Sequence, residues 1–183
     1  MLAFFAFLGK RDIMAKRVAI LVEDQYQVLE VWYPLLRLRE EKIDVDLIGS
    51  GTKESYGSKE GYPAKADKSI KDINTKDYHA VVIPGGFAPD FMRRTPAMAA
   101  FIRKIHDEGK PVAAICHGGW MLVSAGILKG RKATCFFAIK DDLIAAGANY
   151  VDQEVAVDTN LITARKPEDL PAFVGELIRQ LKK

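Results

Sequence analysis

The sequence predicts an α/β fold: one mostly parallel, doubly wound sheet with helices packed on it. Three observations lead there. Short runs of uninterrupted apolar residues recur along the chain, as strands buried on both faces require. Segments with helical spacing of apolar residues alternate with those runs. Glycine or proline punctuates the ends of both kinds of segment. At 183 residues the chain suits one domain with an adequate core, and no internal repeat or linker divides it.

In chain order, Arg17 to Val22 (RVAILV) reads as a buried strand. Tyr26 to Glu41 carries Val28, Val31, Trp32, Leu35, Leu36 and Leu38 at helical spacing, with Pro34 inside as an expected kink. Ile43 to Ile48 alternates apolar and acidic residues, a strand wetted on one face. Thr52 to Ile70 is rich in Gly, Lys and Ser and suits a hairpin or flap. Ala80 to Ile83 is a strand that ends in Pro84-Gly85-Gly86. A helix from Pro96 to Glu108 has proline at its start and Gly109 just past its end. Val112 to Ile115 is a strand that stops at Cys116, and a helix follows it up to Gly126. Ala133 to Phe137 is expected as a strand and Lys140 to Ala146 as a helix stopped by Gly147. Val155 to Val157 and Leu161 to Thr163 pair as a hairpin, and Glu168 to Leu181 is a closing amphipathic helix.

The bulk numbers exclude several classes. Net charge is +3 with acids and bases mixed, and no basic run carries interleaved aromatics, so nucleic acid is not an expected partner. No stretch reaches the roughly 18 apolar residues that cross a bilayer. Two cysteines make no disulfide framework, which points to a reducing, cytoplasmic setting. Neither belongs to a Cys-x-x-Cys pair, and His79, His106 and His117 lack metal-ligand spacing, so no metal and no cofactor are expected. Residues 1–16 form an apolar N-terminal extension (Phe4, Phe5, Phe7 and Leu8 stand in it) expected to pack against protein. It lacks a basic leader and a small-residue cleavage site, and Met14 could be the biological start. The domain proper spans 17–183.

Chemistry concentrates at Val112-Ala-Ala-Ile-Cys-His-Gly-Gly-Trp120. A strand that ends on a cysteine and turns at once into a helix lifts the thiol out of the sheet. Such a nucleophile elbow needs small neighbours, which Gly118 and Gly119 supply. A free thiol titrates near pH ~8.5, and a helix N-terminus or a nearby cation lowers that value, so Cys116 is expected below it. His117 can bond the thiol only if Cys116 occupies the tight turn, since adjacent helical residues do not face each other. Gly85-Gly86 suits a tight turn, and beside a reacting thiol it also offers a backbone N–H to an oxyanion, paired with that of His117. In an open parallel sheet ligands bind beyond the carboxyl ends of strands, where Glu23-Asp24, Gly85-Gly86 and Cys116-His117 are expected to converge. Cys135, mid-strand between Thr134 and Phe136, reads as inert packing. Asp90 after Pro89 reads as a helix N-cap.

The Tyr-Pro of the first helix, Ile-Pro-Gly-Gly-Phe-Ala-Pro-Asp at 83–90 and Ala-Ile-Cys-His-Gly at 114–118 together resemble the DJ-1/PfpI superfamily, closest to its PfpI-type intracellular protease and deglycase members. The resemblance runs from about Arg17 to Leu181. It implies a flavodoxin-like three-layer sandwich, class I glutamine amidotransferase-like, that self-associates as a dimer, with further assembly to a hexamer as in PfpI-type members. It implies Cys116 as nucleophile, His117 as its adjacent histidine, Gly86 as an oxyanion glycine, and Asp90 as an acid sent from a neighbouring subunit to orient His117. Two departures stand out. The family's glutamate beside the thiol falls, by ungapped count from Arg17 to Pro34, on Gln27, which can donate through its amide but cannot shuttle a proton. A family tyrosine falls on Phe136.

The functional expectation is a cysteine-dependent enzyme acting on peptides through a thioester, or on small reactive carbonyls such as methylglyoxal and their glycation adducts. A sheltered crevice suits small carbonyls better than extended peptides. The alternative is a non-catalytic redox or stress sensor whose Cys116 is oxidised and then held by N–H donors and Gln27.

Overall fold

A computed structural model describes residues 16–183, so the apolar stretch before them lies outside the described residues. The chain begins with β1 (Arg17–Val22), α1 (Val28–Glu40) and β2 (Asp44–Gly49). A small hairpin follows, β3 (Ser55–Gly57) with β4 (Pro63–Lys65), then the short edge strand β5 (Lys68–Ser69). Next come β6 (Ala80–Ile83), α2 (Ala88–Met92), α3 (Pro96–Asp107), β7 (Val112–Ile115) and α4 (Gly119–Ala125). The remainder is β8 (Lys132–Ala133), α5 (Lys140–Ala145), β9 (Asn149–Tyr150), β10 (Val155–Asp158), β11 (Leu161–Ala164) and α6 (Leu170–Leu181).

Seven strands form the central sheet in the order β10-β11-β7-β6-β1-β2-β5. All neighbours run parallel except β10 with β11. The uninterrupted apolar runs sit where burial on both faces demands them: Val18 to Val22, Ala80 to Ile83, and Val112, Ala113 and Ile115 are fully buried. β2 keeps the predicted alternation, with Asp44 and Asp46 outward. Asp46 accepts from Tyr78 Oη at 2.8 Å and from Lys68 Nζ at 2.8 Å, which the wetted face permits.

From β1 the chain moves by α1 to β2, and from β6 it moves by α3 to β7 in the opposite direction along the sheet. Right-handed crossovers therefore place α1 and α3 on opposite faces. α1 packs against α6, and α3 against α4. The two halves of the winding diverge between β1 and β6, and the crevice beyond their carboxyl ends is the natural binding site.

Three elements depart from the expectation. α1 starts at Val28 rather than Tyr26, because Gln27 caps it: the Gln27 side chain accepts the Glu30 N–H at 3.0 Å. The strand expected over Ala133 to Phe137 ends at Ala133. Beyond it the backbone bonds elsewhere, Thr134 N–H donating to Thr163 Oγ1 at 2.9 Å and Phe136 N–H to the Cys116 carbonyl at 3.4 Å. Cys135 therefore lies in a connecting loop, although it is buried as expected. Helix α2, Ala88–Met92, holds Asp90 within its first turn, with Phe87 at the cap position instead.

Candidate active site

Cys116 occupies the turn between β7 and the helical segment behind it, with φ at +58°. A side chain in the left-handed region is uncommon and marks strain held by its surroundings. The conformation swings the thiol away from the sheet, as the elbow pattern predicts. Gly85 makes room for it. A Cβ at Gly85 would lie 2.7 Å from the His117 nitrogen, 2.8 Å from Cys116 Cβ and 2.8 Å from Glu30 Oε2. Gly86 has φ +72° and abuts the backbone of Gln25 to Gln27 so closely that no side chain fits. Tyr26 bridges Gly86 on one side and Ser58 on the other. The N–H groups of Gly86 and His117 face the Cys116 sulfur and favour its charged form. Two fixed donors on one point can hold a negative charge there.

The third partner is Glu30, and here the sequence expectation is corrected. Counting without a gap assigned the acid's place to Gln27. In the structure Gln27 lines the crevice and caps α1, while Glu30, one turn into that helix, reaches the thiol. Glu30 is fully buried, accepts the Gly85 N–H through Oε2 at 2.6 Å, and turns its carboxyl to the Cys116 side chain. Its Oε1 has no hydrogen-bond partner among the described residues. The site therefore has a proton-carrying group, and Gln27 does not stand in for one.

Burial pushes the Glu30 carboxyl up to about 7, opposed by the Gly85 N–H. Burial also pushes the Cys116 thiol up, to about 12, and the Glu30 charge adds to this, while the N–H groups of His117 and Gly86 pull the other way. The expected depression of the thiol is thus overturned: enclosure outweighs the turn of helix behind it. The pair therefore takes up its first negative charge near neutrality on the Glu30 carboxyl rather than on the sulfur. A thiolate forms when the thiol's proton passes to that carboxyl, and the N–H groups of His117 and Gly86 favour the charged sulfur.

His117 Nδ1 lies 3.3 Å from Sγ. Its ring is stacked on Phe136, centroids 5.0 Å apart, and meets Trp120 edge-on at 5.1 Å. Burial, and then the charge of Lys59, lower its pKa and keep it neutral. Asp90 is not brought to His117 within this chain; it pairs with Arg94, just past the end of α2. Glu23 and Asp24 do not turn to the thiol either. Glu23 is buried and accepts from Ser50 and from Thr52 Oγ1 at 3.0 Å, and Asp24 accepts the Gly57 N–H at 3.0 Å. Glu23 ties the end of β1 to the loop after β2, and Asp24 ties it to β3. That hairpin delivers Lys59, which the sequence reading passed over because a lysine in a Gly- and Ser-rich loop carries no periodicity or motif.

Together these residues line a cavity of about 320 Å³, walled on its apolar side by Phe87, Phe136 and Pro167. Among the described residues no cluster of His, Cys, Asp or Glu could hold a metal ion, and no helix is long and apolar enough to cross a membrane.

The model of the DJ-1/PfpI family matches residues 16–180. This chain belongs to that family. Deglycase PfpI of Pyrococcus furiosus is 41% identical over 166 residues, which cover 91% of this chain and 99% of that protein. Protein/nucleic acid deglycase 2 of Escherichia coli is 38% identical, covering 92% and 99%. Among solved structures, Drosophila melanogaster DJ-1beta superposes with a TM-score of 0.86 at 25% identity, covering 92% of this chain and 91% of that one. The doubly wound sheet is thus the flavodoxin-like sandwich of the DJ-1/PfpI family.

Proposed function

We propose that this protein is a cysteine-dependent enzyme that acts on small reactive carbonyl compounds and on the adducts they leave on other molecules. One observation carries the reading. Two backbone N–H donors and one carboxyl with a pKa near neutrality converge on a single sulfur at the floor of a small crevice. The names of the relatives, deglycases among them, agree with it.

In the proposed sequence the proton of Cys116 passes to Glu30, and the thiolate adds to the carbonyl carbon. A C–S bond forms and the carbonyl π electrons move to oxygen, which the N–H groups of Gly86 and His117 receive as the sulfur gives them up. Glu30 then returns its proton to that oxygen. For a 2-oxoaldehyde the same carboxyl can move the proton from the hemithioacetal carbon to its neighbour, leaving a thioester that water cleaves. Acid–base groups so placed typically contribute about 10²–10⁴-fold. The shallow, partly apolar crevice favours small carbonyls over an extended peptide, which would need subsites on both sides of the scissile bond.

The test is methylglyoxal consumption with lactate as product, run beside hydrolysis of an unstructured peptide. Cys116→Ala should abolish the first. Consumption that survives Cys116→Ala, or peptide hydrolysis alone in the wild type, would overturn the reading.

A further inference from the structure

Lys59 is the one cationic side chain among the described residues that line the thiol cavity. The other titratable walls, Glu30 and His117, are acidic or neutral. Lys59 sits in the turn between β3 and β4, and its backbone is fastened to the site. Its N–H donates to the Tyr26 carbonyl at 3.0 Å. The preceding Ser58 bridges Tyr26 and, through Oγ, accepts the N–H groups of Glu60 at 3.1 Å and Tyr62 at 3.0 Å. Since Tyr26 also bridges Gly86, the base of Lys59 and the oxyanion glycine are fixed to one segment.

The ammonium itself is only loosely engaged. Its partner Glu60 is 3.7 Å away, and the other Glu60 oxygen accepts the Val28 N–H at 3.3 Å, at the start of α1. The Lys59 side chain keeps 50% of its exposure. Its field nevertheless reaches both Glu30 and His117. A cation that lines a reactive cavity, lacks a close counter-ion and has a fixed base is built to receive an anion from solution.

We infer that Lys59 selects carbonyl compounds carrying a carboxylate close to the reacting carbon, so that Cys116 captures an oxo acid such as glyoxylate in preference to a neutral aldehyde of the same size. This inference rests on the proposal that Cys116 attacks small carbonyls. The carboxylate would lie against Lys59 at the rim, with the carbonyl carbon over Cys116.

The test compares iodoacetate with iodoacetamide as alkylating agents of Cys116 in the whole protein. The two are nearly isosteric and differ by one negative charge. Both alkylate in the same way, the C–S bond forming as iodide leaves. The ratio of their rates at Cys116, read by peptide mass, should fall about fivefold in Lys59→Met and return in Lys59→Arg. In Lys59→Glu it should fall further. A ratio that Lys59→Met leaves in place would overturn the inference. So would a joint slowing of both reagents, since Lys59 would then act on the thiol and not on the incoming group. Glyoxylate, which can add to the thiol but has no neighbouring ketone to receive the proton, should compete with methylglyoxal, and its inhibition constant should rise in Lys59→Met. Methylglyoxal turnover with an unshifted inhibition constant would sink the inference and spare the proposed function. A Lys59-dependent alkylation ratio in a protein that does not consume methylglyoxal would do the reverse.

Discussion

Glu30 sets the behaviour of the site because it is an acid with no water around it. Its pKa is raised from 4.5 to about 7. The unfolded chain releases this proton near 4.5, while the folded chain holds it until about 7. The folded state is therefore the more protonated one in between, and stability falls as pH rises through that window. Below it no penalty applies; above it the cost levels off at about 3 kcal/mol, from the size of the shift. Glutamine mimics the protonated acid and carries no such penalty. Glu30→Gln should therefore match the wild type in urea denaturation at pH 4.5 and exceed its stability at pH 8 by up to about 3 kcal/mol. Turnover should move the opposite way and fall by about 10²-fold or more, since an amide cannot carry a proton. A variant that gains nothing at pH 8 would show that the carboxyl is not held protonated. Cys116 reports the same enclosure. Its iodoacetamide labelling should rise with a midpoint well above the ~8.5 of a free thiol, because burial and the Glu30 charge hold the proton on sulfur. A midpoint at or below about 8.5 would mean that the backbone N–H groups outweigh burial.

At the level of elements, α1 presents the acid and the β3–β4 hairpin presents the cation. Gln27 holds the Glu30 N–H at 3.0 Å, so the cap and the acid belong to one turn of helix. Gln27→Ala should cost about 1 kcal/mol, measured by urea denaturation, with a smaller loss of turnover than Glu30→Gln gives. An unaltered midpoint would show that the Gly85 and Gly86 contacts hold that turn without the cap. The hairpin is anchored by Tyr56, fully buried, whose hydroxyl accepts the N–H of Gly51 at 3.1 Å and of Lys53 at 3.3 Å. Tyr56→Phe leaves both donors facing a ring edge and should destabilise by about 1–3 kcal/mol. These cases show what the sequence could and could not say. Cys116, Gly85 and Gly86 were legible because an apolar strand that breaks on Cys-His-Gly or Pro-Gly-Gly has few other uses. Glu30 was missed by counting from β1, a procedure that fixes the family position only if the motif's own boundary is right. The available signal was its place on the wheel: Glu30, Pro34 and Leu38 fall at steps of four, on the face that α1 buries. Lys59 left no such trace, because a loop residue's direction depends on hydrogen bonds between segments distant in sequence. The strand expected through Cys135 and Phe136 failed for a related reason, its backbone donors being taken by Thr163 and the Cys116 carbonyl.

At the scale of the whole molecule the mostly parallel, doubly wound sheet followed from strand–helix alternation, but its strand order did not, and the completeness of the site does not follow from one chain. His117 has an aromatic on each side and the sulfur at 3.3 Å, yet no carboxylate among the described residues bonds it. Asp90, the acid that the family resemblance assigns to that task, pairs with Arg94 instead. The surface around α2 is suited to contact. Phe87 is 48% exposed at the cavity mouth and meets Phe91 edge-on at 5.7 Å and Trp120 at 6.3 Å. Arg93 lies over the Trp120 ring at 5.8 Å. Aromatic patches rimmed by arginine are typical of protein interfaces. If a second copy docks there, its Asp90 would exchange Arg94 for the partner's His117, and each site would draw one residue from each chain. Asp90→Ala should then lower turnover by about 10-fold or more while leaving the fold and the alkylation of Cys116 in place, because orienting groups act on the imidazole and not on the thiol. A second variant separates this from a local effect. Cys116→Ala is inactive but keeps Asp90, and Asp90→Ala keeps the thiol. Mixed after partial dissociation and reassembled, the two should recover activity that neither has alone, since a thiol from one chain meets an aspartate from the other. Sedimentation before and after mixing would report the assembly. No recovery from a demonstrably mixed oligomer, or full activity in an isolated Asp90→Ala protein, would confine the active site to a single chain.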